Sequence, residues 1–87
     1  LIGRFDPLKG QVEAVEAVQL LKQKDHDFLL LLIGEDTANM TGTRARVEEI
    51  VQTHQLQKQI RFLGFRTDIP SIVASVDVLI MPSWAET

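Results

Sequence analysis

The fold is indicated by one apolar run that a glycine closes, Phe28-Leu29-Leu30-Leu31-Leu32-Ile33-Gly34. The run is too short for a comfortable helix, and it does not alternate between polar and apolar residues. A continuous apolar stretch of this length is typical of a strand buried on both faces of a parallel sheet. The sequence therefore predicts an α/β protein built around this strand.

Helical patterns lie on both sides of this strand. Before it, apolar residues recur at helical spacing from Gln11 to Gln23, and Leu1-Ile2 followed by Gly3 predicts the end of an earlier buried strand. After it, Thr43 is expected to cap a second helix, which carries apolar residues at helical spacing and extends to His54. The pattern up to this point is β-α-β-α.

The remaining residues continue the alternation. Residues 60–63 predict a third strand, Asp68 can cap a short helix with Pro70 in its first turn, and residues 76–81 predict a fourth strand. Strands separated by helices pair in parallel through right-handed crossovers. The sequence thus predicts a Rossmann-like three-layer parallel sheet, β-α-β-α-β-α-β, with the expected strand order 3-2-1-4.

Composition restricts the class of protein. Eighty-seven residues make one small domain at most, and the absence of cysteine excludes disulfides and cysteine chemistry. The net charge of −3 does not indicate a nucleic-acid-binding protein, which would be basic. No apolar run approaches the roughly 18 residues of a membrane span. With no signal peptide visible, a cytoplasmic protein is expected. Because the chain opens on Leu1 rather than Met, we expect residues 1–87 to be one partial domain, truncated at both ends.

Polar residues follow the first and fourth predicted strands. In an open parallel sheet, ligands bind beyond the carboxyl ends of the strands, where the strand order reverses. The loop after the first strand carries Arg4 and Lys9 just ahead of a helix N-terminus, which favours anions. The loop after the fourth strand carries Ser83 and Glu86. These groups suit a ligand with a phosphate end and a hydroxylated end.

Short motifs occur in order along essentially the whole chain: Gly3-Arg4 with Lys9-Gly10, Phe62-Leu63-Gly64, Ala74-Ser75-Val76-Asp77-Val78, and Pro82-Ser83-x-x-Glu86. Each motif alone is weak, but the ordered set resembles the C-terminal domain of GT-B, GT4-type (group 1) retaining glycosyltransferases. The resemblance implies a domain that binds a nucleotide-sugar donor. It also implies that the whole protein is a hexosyltransferase and that these 87 residues alone are inactive.

The resemblance implies a role for each matching residue. Arg4 and Lys9, beside Gly3, would grip the diphosphate of a UDP-, GDP- or ADP-linked sugar. The loop at Phe65 and Arg66 would hold the base. Glu86 would contact the transferred sugar, with Ser83 helping to shape the site, and the residues with catalytic roles would be Arg4, Lys9 and Glu86.

The same resemblance has implications for cofactors and partners. No metal or other cofactor is expected, and the acceptor would be bound by an N-terminal domain outside this chain. The ribose-binding glutamate would also lie outside it, and the whole protein is expected in the cytoplasm or at a membrane periphery. Since an unpaired strand edge invites another chain, self-association through the edge of the fourth strand is expected.

Other interpretations remain open at this point. A non-catalytic, flavodoxin-like receiver module has the same alternation but needs acidic residues where Arg4 and Gly64 stand. A different GT-B enzyme, a sugar-nucleotide epimerase or a phosphorylase, would share the diphosphate contacts. The triplet Asp25-His26-Asp27 matches a metal-binding D-x-D pattern, but it precedes a strand, so we interpret it as a polar turn.

Overall fold

The computed structural model describes residues 1–25, 27–36 and 41–83. A single 3-10 turn precedes three helices and two strands in this part of the chain. In order they are the turn Pro7–Lys9, α1 Gln11–Gln23, β1 Leu30–Ile33, α2 Thr43–Thr53, β2 Ile60–Gly64 and α3 Ile69–Ser75. The predicted α/β class and the alternation of elements are confirmed. Of the described helices, none is long and apolar enough to cross a membrane.

The sheet has the predicted parallel order over its first three segments. Strands β1 and β2 pair in parallel, with Leu30 opposite Ile60. On the other side of β1, Ile2 forms a parallel bridge with Ile33, and the Gly3 N–H donates to the Ile33 carbonyl over 2.8 Å. Segment 1–2 is the first predicted strand, β1 the second and β2 the third. Segment 1–2 lies beside β1 and away from β2, as the predicted order 3-2-1 requires.

The fourth predicted strand is not formed as a ladder. Residues 76–83 carry no strand, although Val76 has an extended backbone with φ −95° and ψ 156°. Its expected neighbour is segment 1–2, which makes one bridge and is too short to template a ladder of several residues. The end of the segment nevertheless reaches the first loop, since a Cβ added to Gly10 would lie 2.3 Å from the Pro82 carbonyl oxygen.

The core lies on one face of the sheet, where α1 and α2 pack against each other and against the strands. Alternation along β1 places Leu30 and Leu32 on this face, and Ile33 is buried outside the cluster. Leu20 and Leu21, near the end of α1, are exposed and take no part in the core. The cluster consists of Phe5, Ala14, Val15, Val18, Leu30, Leu32, Val47, Ile50, Val51, Leu56 and Ile60.

Two predicted helix caps are used differently. The N-cap of α2 is Gly42, and Thr43 is the first helical residue. Asp36, distant in sequence, accepts a hydrogen bond from the Arg44 N–H over 3.4 Å and thereby supplies the missing cap. Asp68 does stand at the N-cap of α3 but makes no side-chain cap bond, because Arg66 engages its carboxylate.

Candidate functional site

A cavity of about 370 Å³ opens at the carboxyl ends of the three paired segments. It brings together residues from the first loop, from the end of β1 and from the loop after β2, which are separated by up to about sixty positions in sequence. Its lining consists of Ile2, Gly3, Arg4, Ile33, Gly34, Glu35, Phe65, Arg66 and Ile69. Four residues predicted for the donor site therefore share one cavity: Gly3, Arg4, Phe65 and Arg66.

Arg4 presents a largely uncompensated charge at this cavity. Its side chain is 69% exposed, and its nearest carboxylate in the described chain, on Asp6, is 4.0 Å away. That carboxylate is already used to cap the 3-10 turn, where it accepts from the Leu8 N–H over 2.9 Å. A guanidinium has five N–H donors in a fixed fork, so Arg4 retains most of its capacity for an anionic ligand.

Gln11 holds the backbone of the loop that carries Arg4. Its side-chain Nε2 donates to the Arg4 carbonyl over 2.9 Å and approaches the Gly3 carbonyl at 3.4 Å. Its Oε1 accepts from the Asp6 N–H at 3.5 Å. Sequence reasoning missed this residue, although a signal was present: Gln11 stands three and four positions before the buried Ala14 and Val15, on the same face of α1.

Gly10 permits a close approach between the two predicted donor loops. Its φ of +84° is left-handed, and it stands directly before α1 as the N-cap. The Pro82 carbonyl occupies the space that a side chain would need. Ser83 follows Pro82, so it lies near the first loop, but it does not line the cavity.

Lys9 lies beside the cavity and is not part of its lining. The Cγ and Cδ atoms of Lys9 are 3.9 Å from the position of a Cβ built on Gly3. Its ammonium forms no ion pair with any residue in 1–25, 27–36 or 41–83. Glu86, predicted to contact the transferred sugar, lies outside the described residues.

Phe65 and Arg66 form the wall after β2. The Phe65 side chain is 72% exposed, so an aromatic face or edge is available at the cavity mouth. Arg66 makes a bidentate pair with Asp68, with Nε to Oδ1 at 2.9 Å and Nη2 to Oδ2 at 2.6 Å. The hydrogen bonds and charge of Asp68 raise the pKa of Arg66, and Arg66 in turn lowers the pKa of Asp68. The charge of Arg66 is thus already compensated.

A buried carboxylate after β1 organises the loop behind the cavity. Burial raises the pKa of Asp36, but hydrogen bonds from the Thr41 hydroxyl and from backbone N–H groups of residues 41, 43 and 44 outweigh it, so the pKa lies below its ordinary value. The Thr41 Oγ1 is 2.7 Å from Asp36 Oδ2 and 3.1 Å from the Phe5 carbonyl. Its single proton favours the charged, shorter contact. The sequence predicts that this loop, at the carboxyl end of its strand, borders the site rather than binds phosphate, and Glu35 does line the cavity.

A stacked arrangement lies next to this carboxylate. The rings of Phe5 and Phe62 have centroids 6.2 Å apart, and the guanidinium carbon of Arg44 lies 4.8 Å from the Phe62 centroid. Glu48 pairs with the same guanidinium at 2.7 Å. Because Phe5 follows Arg4 directly, this packing also anchors the first loop.

Asp25, the first residue of the D-x-D triplet, lies in a turn at the opposite end of β1. Asp25 has a left-handed φ of 59°, and its N–H donates to the Lys22 carbonyl over 3.1 Å. The interpretation of Asp25 as a turn residue is confirmed, while His26 lies outside the described residues. Within the described parts of the chain, no three acidic or histidine side chains come together as a metal site.

Comparisons with known proteins agree with the fold and the resemblance. The family model "Glycosyl transferases group 1" matches residues 1–87. A 2-deoxystreptamine glucosyltransferase of Streptomyces kanamyceticus is 34% identical over 84 residues, covering 94% of this chain and 20% of that protein. An uncharacterized glycosyltransferase of Bacillus subtilis (strain 168), YqgM, is 29% identical over 83 residues, covering 93% of this chain and 22% of that protein.

A solved structure has the same fold. The crystal structure of Anabaena Alr3699/HepE in complex with UDP superposes with a TM-score of 0.81 at 24% sequence identity, covering 97% of this chain and 22% of that one. The GT-B, Rossmann-like character of this part of the fold is thereby confirmed. The chain spans about a fifth of the length of the relatives that it matches. A receiver module does not fit a family match that runs through every residue, and the chain belongs to the group 1 glycosyl transferases.

Proposed function

We propose that this chain forms part of the donor-binding domain of a longer, retaining glycosyltransferase that moves a hexose from a nucleoside diphosphate to an acceptor. The observation that carries the proposal is the cavity at the strand ends, which both the exposed guanidinium of Arg4 and the exposed ring of Phe65 line, in a chain of the glycosyl transferase family. A solved relative of the same fold is described in complex with UDP, and a curated relative is a glucosyltransferase. Both support a nucleotide-sugar donor.

Arg4 and Lys9 suit the diphosphate. Breaking the bond between the sugar and the diphosphate places additional negative charge on the leaving phosphate. Cations directed at that phosphate stabilise the transition state more than the ground state, which is the requirement for catalysis. Arg4 offers a bidentate fork and Lys9 a point charge. Both precede the N-terminus of α1, whose N–H groups favour the same anion.

Phe65 and Arg66 suit the base. A planar ring at the cavity mouth can pack against a nucleobase, and this contact depends little on which base is bound. Arg66 contributes the shape of the wall more than its charge, because Asp68 already binds its guanidinium. This arrangement leaves Arg4 as the main cation of the cavity lining.

The sugar and the acceptor require residues beyond those that the cavity collects. We assign Glu86 to the hydroxyls of the transferred sugar and Ser83 to the shape of that end of the site. Because the chain spans about a fifth of its relatives, we assign the acceptor to a further domain. Retention of the anomeric configuration would use the leaving diphosphate to help the acceptor lose its proton, with no metal or other cofactor, in a cytoplasmic or membrane-peripheral enzyme of the GT4 type.

Binding by the chain itself tests the donor site. We expect UDP, GDP or ADP to shift the amide resonances of Gly3, Arg4 and Phe65 in an NMR titration without Mg²⁺. The substitution Arg4→Met should weaken that binding by about tenfold, the value of one charge-assisted contact. The matched control is Arg61→Met, an exposed arginine of β2 outside the cavity, which should leave affinity unchanged. Equal affinity for nucleosides and nucleoside diphosphates, or equal loss in both variants, would reject the assignment.

The whole enzyme tests the reaction. In the longer protein that contains this chain, Arg4→Met should lower kcat by about 10²–10³, as the loss of a donor to a developing charge does elsewhere. The anomeric configuration of the product, read by NMR immediately after transfer, should match that of the donor. An inverted product would overturn the retaining assignment and leave the donor site standing.

A further inference from the structure

Gln11 is a buried polar residue whose side-chain hydrogen bonds all go to one loop. It is the first residue of α1 and only 2% exposed. The amide donates to the carbonyl of Arg4 and approaches that of Gly3, and it accepts from the N–H of Asp6. A buried amide of this kind must be satisfied by its surroundings, so its geometry and that of the loop are fixed together.

A neutral carboxamide is the side chain that suits these partners. Two carbonyl oxygens need a donor, and one N–H needs an acceptor, and a carboxamide supplies both at every pH, whereas a carboxyl group of the same length does so only when protonated. A carboxylate would accept but could not donate, and it would face two carbonyl oxygens. An apolar side chain would fill the space and leave the backbone groups of the loop unpaired.

The loop that Gln11 holds is the one that presents Arg4 to the cavity. The side chain of Arg4 has no hydrogen bond of its own within the described residues and contacts Asp6 only at 4.0 Å. Its position therefore depends on its backbone, which is held by the Gln11 amide, by the Phe5 N–H bond to the Glu35 carbonyl at 3.0 Å and by the contacts of Phe5. Of these side-chain ties, the Gln11 amide is the one that binds the Arg4 carbonyl itself.

We propose that Gln11 is a positioning residue of the diphosphate site: it holds the Gly3–Asp6 backbone so that the guanidinium of Arg4 stands ready for the phosphates. The ligand in this inference rests on the proposed function. The ordering of the loop does not depend on it. A preorganised cation gains affinity because less freedom is lost on binding, and the gain is confined to ligands that reach Arg4.

The first experiment needs no ligand. Gln11→Met keeps the length and buried volume of the side chain and removes both kinds of hydrogen bond. The control is Gln23→Met, an exposed glutamine of the same helix. We expect amide hydrogen exchange at Asp6 to become at least about tenfold faster in Gln11→Met, as the loss of one hydrogen bond permits, with the amides of α2 and β1 unchanged. Unchanged exchange at Asp6 overturns the inference.

The second experiment compares ligands with and without phosphates. Gln11→Met should weaken binding of UDP and pyrophosphate by about five- to tenfold while uridine binding stays the same. Equal weakening of UDP and uridine would show a merely structural role and overturn the inference. If the unsubstituted chain binds no nucleoside diphosphate, the proposed function fails, and with it the ligand role of Gln11. If the chain binds UDP and the ratio of UDP to uridine affinity is unchanged in Gln11→Met, only this inference fails.

A second variant covers the case in which Gln11→Met does not fold. Gln11→Glu keeps the acceptor and the size, and regains a donor when its carboxyl is protonated. Its UDP affinity, relative to the unsubstituted chain at the same pH, should recover as the pH falls from about 8 to about 5, since facing carbonyl oxygens favour the protonated acid. A flat ratio over this range would overturn the inference.

Discussion

A side chain on Gly34 would collide with the carbonyl oxygen of Gly3, because an added Cβ would lie 2.0 Å from that atom. Gly34 has a φ of +133°, and its N–H donates to the Gly64 carbonyl over 2.8 Å. The ends of all three paired segments therefore meet at this residue. The loop that carries Arg4 can approach the end of β1 only because residue 34 has no side chain.

Gly34→Ala should destabilise the chain and displace the first loop. The backbone conformation alone costs about 1–3 kcal/mol for a residue with a Cβ, and the clash with Gly3 adds to it. The control is Gly42→Ala, which also has a positive φ of 72° but, among the described residues, has no contact within 4 Å of its added Cβ. Urea unfolding should show the larger loss for Gly34→Ala. Equal losses would mean that the close approach of Gly3 is not tight in solution.

Stability should fall in acid because of Asp36. Its pKa lies below the ordinary value in the folded chain, so its contribution is present above the unfolded pKa of about 3.9 and is lost as pH falls through the folded pKa. Asp36→Asn should therefore be destabilised at neutral pH, and its difference from the unsubstituted chain should shrink toward acid. Asp27→Asn, at an exposed aspartate, is the control. A difference that is constant with pH would contradict the role of the Asp36 charge.

Arg44 and Phe62 should be energetically coupled. The guanidinium carbon is 4.8 Å from the ring centroid, and a partly exposed pair of this kind contributes about 0.5–1 kcal/mol. A double-mutant cycle of Arg44→Gln and Phe62→Leu, measured by chemical unfolding, should return a coupling of that size. Arg46→Gln, which removes an exposed pair with Glu49, should lower the free energy of unfolding by less than Arg44→Gln does. A coupling indistinguishable from zero would mean that the two side chains pack independently.

The isolated chain should self-associate through residues 78–81. Val78 is 73% exposed and Met81 69% exposed, and Leu79 and Ile80 between them are also exposed. An apolar segment without a strand partner favours pairing with another chain. Light scattering at high concentration should show dimers or larger species, and the double substitution Val78→Lys with Met81→Lys should return a monomer. The control is the double substitution Leu8→Lys with Leu20→Lys, at exposed apolar residues elsewhere, which should leave the self-association unchanged. A monomeric unsubstituted chain would contradict the prediction.

The sequence was sufficient for most elements of the fold because their signals are local. The spacing of apolar residues predicts α1 from Gln11 to Gln23, and the structure has it at those bounds. The uninterrupted run before Gly34 predicts β1, and the structure has it at Leu30–Ile33, with Leu31 half-buried and the other three residues buried. The fourth strand could not be judged in this way, because apolar residues indicate that a segment can form a strand but not that a partner of sufficient length lies beside it.

The candidate site divides in the same manner. Arg4, Lys9, Phe65 and Arg66 were named from motifs and from the rule that ligands bind at strand ends, and the cavity gathers three of these four. Gln11 and Gly34 were not named for it, and the hydrogen bonds of Asp36 to α2 were not predicted, because what these residues do depends on atoms that the folded backbone brings to them.

The periodic placement of apolar residues determined that this chain is α/β, with its helices and strands in their order, because the formation of each element depends on residues that are close in sequence. Only the tertiary structure decided that Arg66 is compensated by Asp68 while Arg4 remains available, and that an amide on α1 fixes the loop of Arg4. The physical reason is that hydrogen bonds and charge compensation act over about 3–4 Å, a distance that the folded backbone of these loops sets and residue spacing does not.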